Sequence, residues 1–189
     1  MGKPMALAMD LAAARADLRR AHVGGAAGVI VSGLVWLFTG LVWMATGPGH
    51  ALILLFIGGM AIAPMAELLS RWWFKAPKAS IGKRLELVGL VTVPIILAGF
   101  YFGWKWYGLE SPQTIAVVAV AVGLRYLTFP AMFGGTLFWI LGGQFIGFGM
   151  LALMAWPVPL FNVAMALGLC ELAIAALLYR ASTDSGGAS

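Results

Sequence analysis

Six long apolar runs, separated by short loops, fill nearly all of this 189-residue chain. A helix needs about 20 apolar residues to cross about 30 Å of hydrocarbon, and each run is near that length. Hydrophobic residues make up 62% of the chain and charged residues 10%, more apolar surface than a soluble domain of this size can hide. The runs predict spans at Val23–Ala45, His50–Ser70, Glu86–Lys105, Gln113–Thr128, Ala131–Ala155 and Val158–Tyr179. All must be helical, because lipid cannot satisfy an open backbone. The expected fold is all-α, a polytopic bundle of six transmembrane helices arranged as three hairpins over 23–180. An arm over 1–22 precedes it and a disordered tail over 181–189 follows.

Charge sets a direction. The arm carries Lys3, Arg15, Arg19 and Arg20, and the loop after the second span carries Arg71, Lys75, Lys78, Lys83 and Arg84. Arg125 and Arg180 end the fourth and sixth spans on that same side, and Lys105 alone falls on the other. Eleven of twelve cations on one side predict that both termini are cytoplasmic. Topology therefore accounts for the net charge of +5, and no nucleic-acid partner is expected. The first twenty residues hold Asp10, Asp17, Arg15, Arg19 and Arg20 and lack a long uncharged core, which argues against a cleavable signal peptide. Between Pro4 and His22 the arm suits a surface helix, with Leu7, Leu11 and Leu18 on one side, or a mobile segment.

The outer connections read as turns: Thr46-Gly47-Pro48-Gly49, Gly108 to Pro112, and Trp156-Pro157. Trp43, Trp104, Trp106, Tyr107 and Trp156 gather at that boundary and Trp72 and Trp73 at the inner one, the aromatic belts of a spanning protein.

The first and third hairpins look related. Gly33, Gly40 and Gly47 recur as Gly135, Gly142 and Gly149 at a constant offset of 102, and Trp36-x-x-x-Gly40 is echoed by Trp139-x-x-x-Gly143. Seven-residue spacing nearly keeps one helix face, so each glycine row predicts a groove for close helix approach.

Charges inside the hydrocarbon are costly and mark candidate sites. Glu171 lies nine residues before Arg180, roughly 13 Å along its helix from the inner boundary. Arg125, Glu67 and Glu86 lie nearer that boundary, and Glu67 and Glu86 can reach it by snorkelling. Arg125 cannot readily lose its proton, so Glu171 or Glu67 is its expected partner. Glu171 tied to Arg125 stays ionised; without a cation it favours the neutral acid and can carry a proton. Gln144 and Asn162 suit hydrogen bonds between helices. The candidate solute-binding set is Glu171, Arg125, Glu67 and Gln144. Pro64, Pro94 and Pro130 sit within or beside spans, where each frees backbone carbonyls and can kink its helix; Pro64 comes just before Glu67 and Pro130 just after Arg125.

Other chemistries have little support. His22 and His50 fall on opposite sides, the single Cys170 allows no disulfide within the chain, and no metal-ligand spacing, phosphate loop or nucleophile-and-base pattern occurs. No cofactor is expected, and an enzymatic role ranks last.

The stretches Ser32-Gly33-x-x-Trp36-x-x-x-Gly40, Gly58-Gly59-Met60-Ala61-Ile62-Ala63-Pro64 and Gly123-Leu124-Arg125-Tyr126-Leu127-Thr128-Phe129-Pro130, with the basic loop between the last two, carry a resemblance. Across most of 24–150 the chain resembles a family of small six-span bacterial membrane proteins defined only as a domain of unknown function. The resemblance implies a bacterial inner-membrane protein and no particular activity. That family often has His where Arg125 stands here, which weighs against a role that needs one fixed residue type.

Three functions remain open. The charges on separate helices favour a small transporter or channel for an ion or small solute, working as a homo-oligomer. A membrane-embedded solute-binding subunit with partner subunits would hold a small molecule and not transport alone. An accessory protein would use its glycine faces and basic surface to contact other membrane proteins or lipids.

Overall fold

The computed structural model describes residues 3–154 and 162–184. Helix α1 (Lys3–Ala21) leads through a turn into α2 (Ala26–Thr46), followed by α3 (Pro48–Trp72), α4 (Lys83–Val91) and α5 (Val93–Tyr107). Then come α6 (Pro112–Tyr126), α7 (Phe129–Phe133), α8 (Leu137–Met154) and α9 (Val163–Asp184). Among the described residues, six helical stretches are long and apolar enough to cross a membrane: Val23–Thr46, Pro48–Trp72, Leu85–Tyr107, Pro112–Phe133, Leu137–Met154 and Val163–Thr183. All six expected spans are present, with shifted ends. The third outer turn and Trp156 lie outside the described residues.

The shifts have local causes. Pro94 removes one helical N–H and crowds the carbonyl four residues back, so the third span divides at Thr92 into α4 and α5. Thr92 Oγ1 donates to the Gly89 carbonyl at 2.8 Å and occupies one group the break would strand. Pro64, by contrast, lies inside an unbroken α3. Pro130 does not close the fourth span. It occupies the first turn of α7, where its missing N–H costs nothing, and the span continues to Phe133. The fifth span therefore begins at Leu137, not Ala131, after a break at Gly134 (φ 59°) and Gly135 (φ 159°). At the far end α9 runs to Asp184, so 181–184 are helix and not tail.

The spans form two rows of three. In one, α2 lies between α3 and α9; in the other, α6 lies between α5 and α8. Glycines set the closest approaches. A Cβ on Gly40 would stand 2.7 Å from the Met165 backbone nitrogen, and one on Gly168 would stand 2.5 Å from that of Leu37, so α2 and α9 touch backbone to backbone. On the other side, Gly123 and Gly142 face each other across α6 and α8, each with a Cβ position 2.9 Å from the other's carbonyl. Gly149 meets the Ala116 carbonyl in the same groove. The expected glycine grooves therefore exist, but the two hairpins use them differently. Gly47 and Gly135 lie in open turns, and Trp36 is buried where Trp139 is exposed.

One end of the bundle gathers the charged segments. Three successive left-handed residues, Val23, Gly24 and Gly25, fold α1 back across this end. Ala14, Leu18 and Ala21 form its buried face, while Leu11 is exposed. That buried face, spaced i, i+4, i+7, shares Leu18 with the expected leucine face but is rotated away from Leu11. Asp17 then clasps the loop before α4, accepting from the backbone N–H of Ser80 (2.7 Å) and Gly82 (2.9 Å). His22 Nε2 lies 3.2 Å from Glu86 Oε1.

Donation from Gly82, then from Ser80, holds the Asp17 carboxyl below its ordinary value of 3.8. A depressed folded value means that the clasp is complete above the ordinary value and is lost as pH falls through the lowered one. At neutral pH, Asp17→Asn is expected to speed tryptic cleavage after Arg15 and Arg19. Unchanged cleavage would remove Asp17 from that role.

Candidate functional site

Glu171 is fully buried, 0% exposed, on α9 where the two rows meet. Its Oε1 accepts a hydrogen bond from Ser32 Oγ of α2 at 2.7 Å and another from the Tyr126 hydroxyl of α6. Its Oε2 is buried and has no hydrogen-bond partner. Three helices thus converge on one carboxyl. Gly33 makes room for it, since a Cβ there would stand 3.0 Å from the Glu171 Cβ.

The surroundings are aromatic. The Tyr126 ring lies 5.3 Å from Phe129 and 5.4 Å from Phe145, and Phe145 meets Trp36 edge-on at 5.3 Å. Trp36 and Phe145 are buried to within 1%. In such a place a carboxyl has two chemical states with the same partners. As the neutral acid it carries its proton on the bare oxygen. As a carboxylate it keeps both hydroxyl donors on Oε1 and leaves Oε2 to face a cation.

The expected tie between Arg125 and an acid is not formed. Among the described residues the ion pairs are Glu67 with Arg71 and His22 with Glu86. Tyr126, one residue after Arg125, takes the face of α6 that reaches Glu171, and consecutive helical residues point about 100° apart. Arg125 instead lies half-buried with its guanidinium carbon 5.6 Å from the centre of the Phe129 ring, and its Nε has no hydrogen-bond partner. Glu67 bonds Arg71 one turn away through two guanidinium nitrogens, at 2.7 and 2.8 Å, on a half-exposed surface. Gln144 is half-buried on α8, and its Oε1 is buried without a partner. Of the four candidate residues, only Glu171 occupies a constructed polar site.

Asn162 does join helices: its Nδ2 donates to the Gly40 carbonyl at 2.9 Å while its Oδ1 accepts from the Met165 N–H at 3.1 Å, capping α9. Ser32 and Tyr126, the two partners of Glu171, were not among the candidates. Each stands beside a residue the sequence did single out, Gly33 and Arg125, and each lies in a motif that carries the family resemblance.

Six apolar helices in two rows around a buried polar site define an integral, multi-pass membrane protein. The family of unknown function DUF7010 matches residues 11–181, and the chain belongs to that family. No curated protein and no solved structure matches it.

Proposed function

We propose that the protein is a small transporter of the bacterial inner membrane, in which Glu171 carries a proton or another small cation. The observation that carries this reading is the fully buried carboxyl with two hydroxyl partners on one oxygen and none on the other. Ionisable groups at such depth mark ion pathways more often than packing. Closure of the site by α2, α6 and α9 supports it further, because movement of either row against the other alters the carboxyl's partners. A homo-oligomer is the working assembly. The test is flux across liposomes that contain the purified protein, followed with a trapped pH-sensitive dye and compared with Glu171→Gln.

Both termini are assigned to the cytoplasm from the eleven cations that fall on one side of the spans. In a background of Cys170→Ala, Lys78→Cys is expected to react with an impermeant maleimide only after the cells are opened. Leu109→Cys is expected to react in cells with a permeable outer membrane and an intact inner one. The reverse pattern would invert the topology.

A second reading has one observation in its favour. An apolar groove of about 380 Å³ lies between α3 and α5, lined by Leu52, Phe56, Leu97, Phe100, Tyr101 and Trp104 among others, away from the charged end. A solute-binding subunit that holds an apolar molecule would use this groove and leave Glu171 as a structural group.

A further inference from the structure

The five-residue helix α7 is approached by three guanidinium groups. Arg15 Nε, from the arm, donates to the Ala131 carbonyl at 2.9 Å. Arg19, one turn on, places Nη2 3.0 Å from where a Cβ on Gly134 would stand. Arg125 lies over the Phe129 ring from the end of α6. Among the described residues none of the three makes an ion pair. The nearest acid in sequence to Arg15 and Arg19 is Asp17, and its carboxylate is committed to the backbone of 80–82.

Arg125 is the unusual member. It cannot shed its charge, and most of its surface is buried in the protein. Its guanidinium carbon stands over the Phe129 ring, 5.6 Å from the centroid, a contact that uses no guanidinium N–H as a hydrogen-bond donor. The buried, unbonded Nε belongs to the edge through which a guanidinium grips two oxygens of one oxyanion. A tetrahedral anion with several oxygens suits three guanidiniums around a short helix better than a carboxylate does, because it can accept from more than one of them.

We propose that the surface around α7 binds a phosphate group, with Arg125 as its inner contact and Arg15 and Arg19 at its rim. The chemistry is shared by inorganic phosphate and by the headgroup of an anionic phospholipid. The site is separate from Glu171, whose partners are Ser32 and Tyr126.

The experiment uses the full chain in neutral detergent, with two probes. Inorganic phosphate is titrated against thermal unfolding, with chloride at equal ionic strength as the control. In parallel, nanodiscs of phosphatidylglycerol or phosphatidylcholine are compared by the lipid retained in native mass spectrometry. Stabilisation by inorganic phosphate that Arg125→Gln weakens by about tenfold or more, the size of one lost charged hydrogen bond, supports a free anion. Selective retention of phosphatidylglycerol that Arg125→Gln loses supports a lipid headgroup. Arg15→Gln with Arg19→Gln, on the arm and outside the spans, gives the same direction of change should Arg125→Gln fail to fold. Neither probe binding, or equal binding by wild type and the double variant, overturns the proposal. Glu171→Gln is expected to bind both probes as wild type does, so loss of transport and loss of phosphate binding are read separately.

Discussion

Glu171→Gln is expected to reduce proton flux to that of protein-free liposomes while the protein stays folded. The amide has nearly the size and shape of the acid, and its oxygen can still accept from Ser32 and Tyr126. It cannot release a proton or neutralise a cation. Glu171→Leu separates the structural contribution from the chemical one. It leaves two buried hydroxyls without their acceptor, at a cost of about 1–3 kcal/mol, so it is expected to lower the unfolding temperature where Gln does not. Ser32→Ala and Tyr126→Phe each remove one donor and are expected to leave partial flux. Wild-type flux from Glu171→Gln would end the proposed role of this residue and favour the groove between α3 and α5 as the working surface.

Gly168→Ala is expected to be the most damaging single-methyl change in the bundle. The new Cβ would meet the Leu37 nitrogen at 2.5 Å and the Gly33 carbonyl at 2.8 Å. Both are backbone atoms and cannot rotate away, so α2 and α9 must part. Overpacking of this kind costs about 1–3 kcal/mol and occasionally more. Separation would also strain the Asn162 bond to Gly40 and pull Ser32 from Glu171. Gly168→Leu is expected to prevent folding altogether. The control is Gly143→Ala on α8, where nothing lies within 4 Å of the added carbon. It is expected to change stability by no more than about 0.5 kcal/mol. Thermal unfolding of the two variants in one detergent measures the difference. Equal unfolding temperatures would show that the α2–α9 contact is looser than its geometry.

Gly168 and Gly143 also show why some of this fold was legible in sequence and some was not. Span number came directly from hydropathy, since lipid demands about 20 apolar residues each time. The rotation of each helix did not. Lipid-facing and protein-facing sides are both apolar, so Trp36 and Trp139 sit in the same motif and end in opposite environments. The sequence puts Arg125 near the end of its span, but the span runs on to Phe133, and its partner depended on a rotation of one residue: Tyr126 took the contact with Glu171. Depth singled out Glu171 because position along a helix can be counted from its boundary charges. Ser32 was hidden by its commonness: its importance depends on α2 neighbouring α9, the first and last of the six spans, which nothing along the chain announces.

That pairing has a consequence for how the protein is made. Ser32 and Glu171 are 139 residues apart, so α2 leaves the ribosome long before the helix that fills its glycine groove exists. Until then Ser32, the Tyr126 hydroxyl and the Gly40 carbonyl lack the hydrogen-bond partners they find on or beside α9. The bundle cannot be completed hairpin by hairpin as synthesis proceeds. α9 must dock against α2 after the other five spans are made, and it brings the carboxyl that joins Ser32 of one row to Tyr126 of the other.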